Sequence, residues 1–359
     1  MKYIYVRIAP YIFPGNAMKF DDFIADILRQ LKMCYEPGDE LIFNALVEKL
    51  SQFRHLNSVL DNVGNYVQSL NIPYHFLLHD TARELTKHRT NVYYLNTWAY
   101  ITYKHSLTRH RNKWYPKIKK ALFLIGKPLK SQRLGLMHHF YGKKLLDYLD
   151  YSLYFPANQT NINAIKALNI TYLQDDRYIS SFLTEIQKSS LDIDISKCYE
   201  TNVFEYTGFP TNLRYYRNTC LSIVSENSFT INPNVKTNNI NMPYLTEKLY
   251  RAMINHHPFI IIGDYGTNEH LCSIGYKTFD KFFLPYTYRI SHDTELILDW
   301  TAKSVKHFMD NLDKNVDEIR EIVTHNYNHY MNQTENELKH LQQALPYLDL
   351  EDNDLLGRL

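Results

Sequence analysis

Residues 244–263, YLTEKLYRAMINHHPFIIIG, join a helical pattern to a short apolar run that stops at Gly263. Leu245, Leu249, Ala252 and Met253 stand at i, i+4, i+7 and i+8, on one helical face, and PFIIIG reads as a strand. The same alternation continues on both sides. Upstream, ALFLIG (121–126) predicts a strand, RLGLMHHFYGKKLLDYL (133–149) a helix, and YSLYF (151–155) a strand-like run. An irregular, Asn-rich interval follows, then the strand TCLSIVSE (219–226). Downstream, NEHLCSIG (268–275) predicts a short helix, and from about residue 294 the tail shows the 3–4 spacing of helix. An earlier series begins with the strand KYIYVRIA (2–9). It continues with helical patterns in DDFIADILRQLK (21–32), ELIFNALVEKLSQF (40–53) and LDNVGNYVQSL (60–70), then the strands YHFLLHD (74–80) and NVYYLN (91–96). Two alternating series predict an α/β protein with two Rossmann-like domains.

The chain has 359 residues, 45% of them hydrophobic, enough for two domains with cores of their own. The division is expected near Pro116. This gives an N-terminal domain over 1–115, a C-terminal domain over 116–293 and a helical segment over 294–359. Cys34, Cys198, Cys220 and Cys272 are scattered with no CxxC pair, which points to a reducing compartment. The start, MKYIYVRIAPYIFPG, does not read as a signal peptide. No window approaches the roughly 20 apolar residues of a membrane span. A soluble, cytoplasmic protein is expected, so the Asn-x-Thr triplets at Asn158, Asn169 and Asn332 carry no glycosylation meaning.

The net charge of +2 conceals an asymmetry. Between Glu84 and Asp147 there are 14 Lys and Arg and no acid, while the rest of the chain holds 26 basic and 38 acidic residues. The block reads either as a solvated basic face or as a surface for phosphates or a polyanion.

Chemistry concentrates in residues 243–251. Pro243 suits a helix start. The opening turn offers backbone N–H groups, the positive end of the dipole and Lys248, a combination that suits a phosphate. Glu247 beside them suits sugar hydroxyls. A pyrophosphate-linked sugar satisfies both; an ordinary surface Glu–Lys pair is the alternative.

SENS (225–228) followed by PYLTEKLYRAMINHHPFIIIG resembles the donor-binding signature of the α1,3-fucosyltransferase family. ALFLIGKPLKSQRLGLMHHFYGKKLLDYLDY (121–151) is similar to the start of that family's second domain. LCSIGYKTFDKFF (271–283) resembles a segment of its bacterial and viral members. The likeness covers roughly 120–290, is weak over 157–212, and leaves the first 115 residues unmatched. The loop between Asn227 and Tyr244 is longer than the family pattern.

The resemblance implies a GT-B fold, two Rossmann-like domains facing across a cleft. It implies a donor site drawn from Gly126, Lys127, Arg133, Arg217, Glu226, Asn227, Ser228, Tyr244, Thr246, Glu247 and Lys248. Asn227 and Tyr244 would line the nucleotide pocket and Glu247 would contact the ribose or transferred sugar. Lys248 would meet a phosphate and Arg133 would grip the diphosphate as a fork. Glu226 would support the pocket or be a buried structural carboxylate. Arg214 and Arg217 are further cations near the site.

Such a transfer builds negative charge on the departing diphosphate, which Lys248, Arg133 and helix N–H groups would stabilise without a metal or other cofactor. The Asp-x-Asp patterns in LDID (191–194) and EDND (351–354) do not read as metal sites. The pairs His138–His139 and His256–His257 lack ligand spacing and read as packed or surface rings. An inverting reaction also needs a general base. Asp80, at a strand end, is the first candidate and Glu84 the second, with His79 a third; Asp80 before Thr81 also reads as a helix cap.

Three functions follow. The first is a glycosyltransferase acting on a glycan hydroxyl. The second is a phage-type enzyme that glycosylates hydroxymethylated bases of DNA, with Trp98, Tyr100, Tyr103 or Trp114 stacking on bases. The third is a non-catalytic nucleic-acid-binding protein on the same scaffold.

Overall fold

The short apolar runs form strands, and the strands assemble into two separate parallel sheets. This computed structural model describes residues 3–7, 25, 29, 36–37, 39–45, 56–79, 89–96, 99–100, 102–103, 114, 116, 118–125, 130–152, 157–168, 170–188, 213–226, 229, 243, 245–285, 293–346 and 348. The chain is α/β and ends in a long helix.

Residues 1–101, 236–242 and 332–359 make one compact unit, and 102–235 with 243–331 make the other. The division therefore falls ahead of the expected 115/116. Trp114 is buried and donates its indole N–H to the Cys220 carbonyl at 3.0 Å, tying the residues before Pro116 to the second unit. Of the helical tail, residues 294–331 group with the second unit and 332–359 with the first.

In the first unit β1 (Tyr3–Arg7), β2 (Glu40–Ala45), β3 (Tyr74–His79) and β4 (Val92–Leu95) lie in that order, all parallel. Helix α1 (Leu56–Ser69) connects β2 to β3 and buries Leu60, Val63 and Val67 along one side. The run ELIFNA, expected to open a helix, is β2. Leu41, Ile42 and Phe43 are all fully buried. An inner strand of a parallel sheet is covered on both faces, so its sequence lacks the alternation that marks a strand.

In the second unit the order is β6-β5-β7-β8, again all parallel. The strands are β5 (Ala121–Leu124), β6 (Leu149–Ser152), β7 (Leu221–Ser225) and β8 (Phe259–Ile262). Helix α2 (Ser131–Gly142) links β5 to β6. It stops earlier than expected, at a turn in which Lys144 has φ +58°, and β6 starts two residues before YSLYF. The interval expected to be irregular holds α3 (Gln159–Lys166), α4 (Asp176–Lys188) and α5 (Leu213–Arg217). The Asn158 side chain caps α3 by accepting from the Asn161 N–H at 2.9 Å, so an Asn that reads as loop starts a helix. Ile179, Phe182, Leu183 and Ile186 form the buried stripe of α4.

Helix α6 (Glu247–Ile254) precedes β8, α7 (Thr267–Ser273) follows it, and α8 runs over 51 residues from Thr294 to Ala344. The GYKTFD segment packs on α8. Asn326 exchanges two hydrogen bonds of 2.8 Å with the Lys277 backbone. Gly275, at φ +94°, sits so close beneath His329 that a Cβ would stand 2.6 Å from its ring. Among the described residues no helix is long and apolar enough to cross a membrane.

Candidate functional site

β5 stands where the second sheet reverses direction. The chain passes from β5 to β6 on one side, and the next strand, β7, lies on the other. Ligands of open parallel sheets collect outside the carboxyl ends of the strands at such a point. The described β5–β7 pairing comprises Ala121↔Leu221 and Leu122↔Ser222, at the amino-terminal half of β7. Further along, the β7 carbonyls are met by the first turn of α2 instead. Gln132 Nε2 donates to the Glu226 carbonyl at 3.2 Å. Arg133 donates from Nη2 to the Ser225 carbonyl at 3.2 Å and from Nε to Ser225 Oγ at 3.4 Å.

Glu226 leaves the end of β7 and is 1% exposed. Its Oε1 accepts the Thr246 N–H at 3.0 Å and its Oε2 accepts the Thr246 hydroxyl at 2.5 Å. Thr246 is the N-cap of α6, so this carboxylate fixes where the helix begins. Lys248 Nζ then donates to Thr246 Oγ1 at 3.1 Å and lies 3.1 Å from Glu247 Oε1. Burial raises the Glu226 carboxyl above the usual carboxylate range, against the pull of Lys248 and the two Thr246 donors. Burial also pushes Glu247 up, but Lys248 and Arg251 outweigh it and hold the carboxyl below that range. Arg133, 2% exposed, is pulled down by burial and supported by the charges of Glu226 and Glu247.

Five of the residues expected in the donor site, Arg133, Glu226, Thr246, Glu247 and Lys248, thus share one network. Three expectations change within it. The helix opens at Glu247 behind the Thr246 cap, with Pro243 ahead of it rather than in its first turn. The opening N–H groups are not bare: Thr246 donates to Glu226, Lys248 to Thr246 Oγ1 at 3.4 Å, and Leu249 to the Thr246 carbonyl at 3.2 Å. The Arg133 fork grips the end of β7, so its geometry serves the protein's own backbone.

The cations and carboxylates in partial contact with solvent are Lys248 and Glu247, with side chains 21% and 16% exposed. Gln132, Ser225 and Arg251 belong to the same cluster but were not expected there. Only Arg251 had a signal, its i+4 spacing from Glu247.

Arg217 is exposed on α5, and no described bond joins it to the network. Asp80, Glu84, Gly126, Lys127, Asn227, Ser228 and Tyr244 lie outside the described residues, as do LDID, EDND, Trp98 and the side chains of His79 and Arg214. The basic block is partly spent on internal partners. Arg89 meets Asp61 at 2.5 Å, Lys119 meets Asp313 at 2.7 Å, Lys120 meets Asp150 at 2.8 Å and Lys143 meets Asp299 at 2.5 Å. Tyr100 and Trp114, expected to stack on bases, are buried.

Among the described residues no group of three or more His, Cys, Asp or Glu could hold a metal ion. His138 stacks on Tyr172 at 3.9 Å and His256 on Tyr327 at 4.2 Å. His257, just past the end of α6, is buried, with Nε2 2.8 Å from the Thr219 carbonyl and Nδ1 2.7 Å from Ser222 Oγ. The carbonyl can only accept, so Nε2 carries the proton and Nδ1 accepts from the serine. Burial holds this ring down to about 4 from its ordinary 6.5. Between those values the unfolded chain binds a proton that the folded chain refuses, so stability falls as pH drops, by about 3 kcal/mol near pH 4. Denaturant titrations from pH 7 to pH 5 are expected to show a steeper loss for the wild type than for His257→Gln. Parallel slopes would contradict the assignment.

Comparison with protein-family models, curated proteins and solved structures finds no match.

Proposed function

We propose that the protein is an inverting, metal-independent glycosyltransferase of the GT-B class with a fucosyltransferase-like donor site. It would move a sugar from a nucleotide diphosphosugar to a hydroxyl of a glycan. One observation carries this reading. An ammonium and a carboxylate, Lys248 and Glu247, stand side by side at the carboxyl end of the second sheet's reversal point, on a buried platform of Arg133, Ser225, Glu226 and Thr246.

In the reaction the acceptor oxygen forms a bond to the anomeric carbon as the bond from that carbon to the diphosphate oxygen breaks. The bonding pair leaves with the diphosphate, and the acceptor proton passes to a base, for which Asp80 and Glu84 remain the candidates. Lys248 meets the growing negative charge, and Glu247 accepts hydroxyl donors of the sugar. Arg133, through Ser225, and Glu226, through Thr246, act as positioning residues: they hold the end of β7 and the cap from which both working side chains project. A charge held in place before reaction stabilises the transition state without reorganising.

The DNA-modifying alternative rested on the acid-free block and its aromatics. Four of those cations are paired internally and two of the aromatics are buried, which favours the glycan reading over the DNA-modifying and nucleic-acid-binding ones.

Thermal-shift screening against GDP-, UDP- and ADP-sugars tests the reading. A ligand bound only by the folded state at 100 times its Kd adds about 2.7 kcal/mol of stability. One nucleotide class is expected to raise the Tm by several degrees; no shift with any of them would defeat the enzyme reading.

A further inference from the structure

Past the carboxyl end of β8 the second unit contains a cavity of about 460 Å³, inside the range of about 300–1,000 Å³ typical of small-molecule sites. Its back wall adjoins the network just described: a Cβ built on Gly263 would stand 3.6 Å from the Glu226 Cβ.

Its lining is aromatic and acidic. Tyr265 is 55% exposed at its rim. Trp300 is anchored by its indole N–H to the Leu284 carbonyl at 3.1 Å, which fixes its ring in the wall. Asp264, Glu269 and Asp280 are the acidic residues of the lining. Asp280 is held by the Asn268 amide at 2.8 Å and the Thr278 hydroxyl at 3.1 Å. The Asp264 Oδ1 is buried without a hydrogen-bond partner among the described residues. The one lysine in the lining, Lys281, is paired with Glu318.

A lining with this balance repels phosphodiesters, because it sets three acidic residues against one lysine that is itself paired with Glu318. It suits a ligand rich in hydroxyl donors with apolar C–H faces. Hydroxyls donate to the carboxylate oxygens of such a lining. Aromatic rings, amphipathic and rigid, cover the C–H faces. We propose that this cavity binds a neutral sugar ring of a glycan and anchors the acceptor at a residue other than the one that reacts. The word acceptor rests on the glycosyltransferase reading; the sugar site itself does not.

The test uses the full chain and a panel of neutral glycans that presents glucose, galactose, mannose, fucose and N-acetylglucosamine residues. Saturation-transfer NMR is run beside a single-stranded oligonucleotide and spermidine. At least one neutral glycan is expected to bind, and Tyr265→Ala and Asp264→Asn are each expected to weaken it about tenfold. Tyr265 is exposed, so its replacement leaves folding intact, and the nucleotide-induced thermal shift is expected to persist in that variant. If no glycan binds, if both variants bind as the wild type does, or if the oligonucleotide or spermidine competes for the cavity, the proposal is overturned. Glycan binding without any nucleotide shift would leave the sugar site standing and remove the transferase reading; the reverse result would do the opposite.

Discussion

Arg133→Ala is expected to destabilise the fold by about 3–5 kcal/mol, the usual cost of removing one partner from a buried ionic network. The guanidinium is 2% exposed, and it satisfies the Ser225 carbonyl and hydroxyl. Its charge also supports two carboxylates, Glu226 and Glu247. Alanine leaves the β7 carbonyl unmet and Glu226 buried without that charge. Lysine cannot replace the fork, since a single ammonium does not reproduce two parallel donors. Urea denaturation of Arg133→Ala and Arg133→Lys measures both, and a loss below about 1 kcal/mol in the alanine variant would mean that Arg133 does not hold the platform together.

Lys248→Ala is expected to separate activity from stability. Removing one preorganised donor from a site of developing charge costs about 10²–10³-fold in kcat. The folding cost is expected to be about 1 kcal/mol, because the ammonium is partly exposed and Thr246 keeps its stronger partner, Glu226. Initial rates with the nucleotide sugar found by screening, measured beside denaturation of the same variant, check the separation. A variant that folds normally and retains full kcat would remove Lys248 from the chemistry.

The legibility of the chain followed burial. ALFLIG, TCLSIVSE and PFIIIG are apolar runs bounded by Gly, Pro or polar residues, so their strands were readable. ELIFNA was not, because an inner parallel strand is apolar on both faces and continues into a sequence with helical spacing. The Asn-rich interval hid α3 and α4 because Asn marks loops and helix caps alike. Within the site, Thr246, Glu247 and Lys248 are adjacent in sequence and could be read together.

Gln132 and Ser225 could not, since their roles depend on which β7 carbonyls lie unpaired beside α2, and only the sheet order reveals that. The pairing of the basic block was hidden for a related reason. Its partners Asp150 and Asp313 stand 30 and 194 residues away from Lys120 and Lys119, out of reach of any reading by local charge.

The central claim is that the Glu247–Lys248 pair, on its buried platform, meets a diphosphate. Calorimetric titration of the sugar-free nucleoside diphosphates GDP, UDP and ADP into wild type and Lys248→Ala tests it most directly. The proposal predicts saturable one-site binding of one nucleotide to the wild type and at least tenfold weaker binding to the variant. Equal binding by the two proteins, or heat from neither, would contradict it.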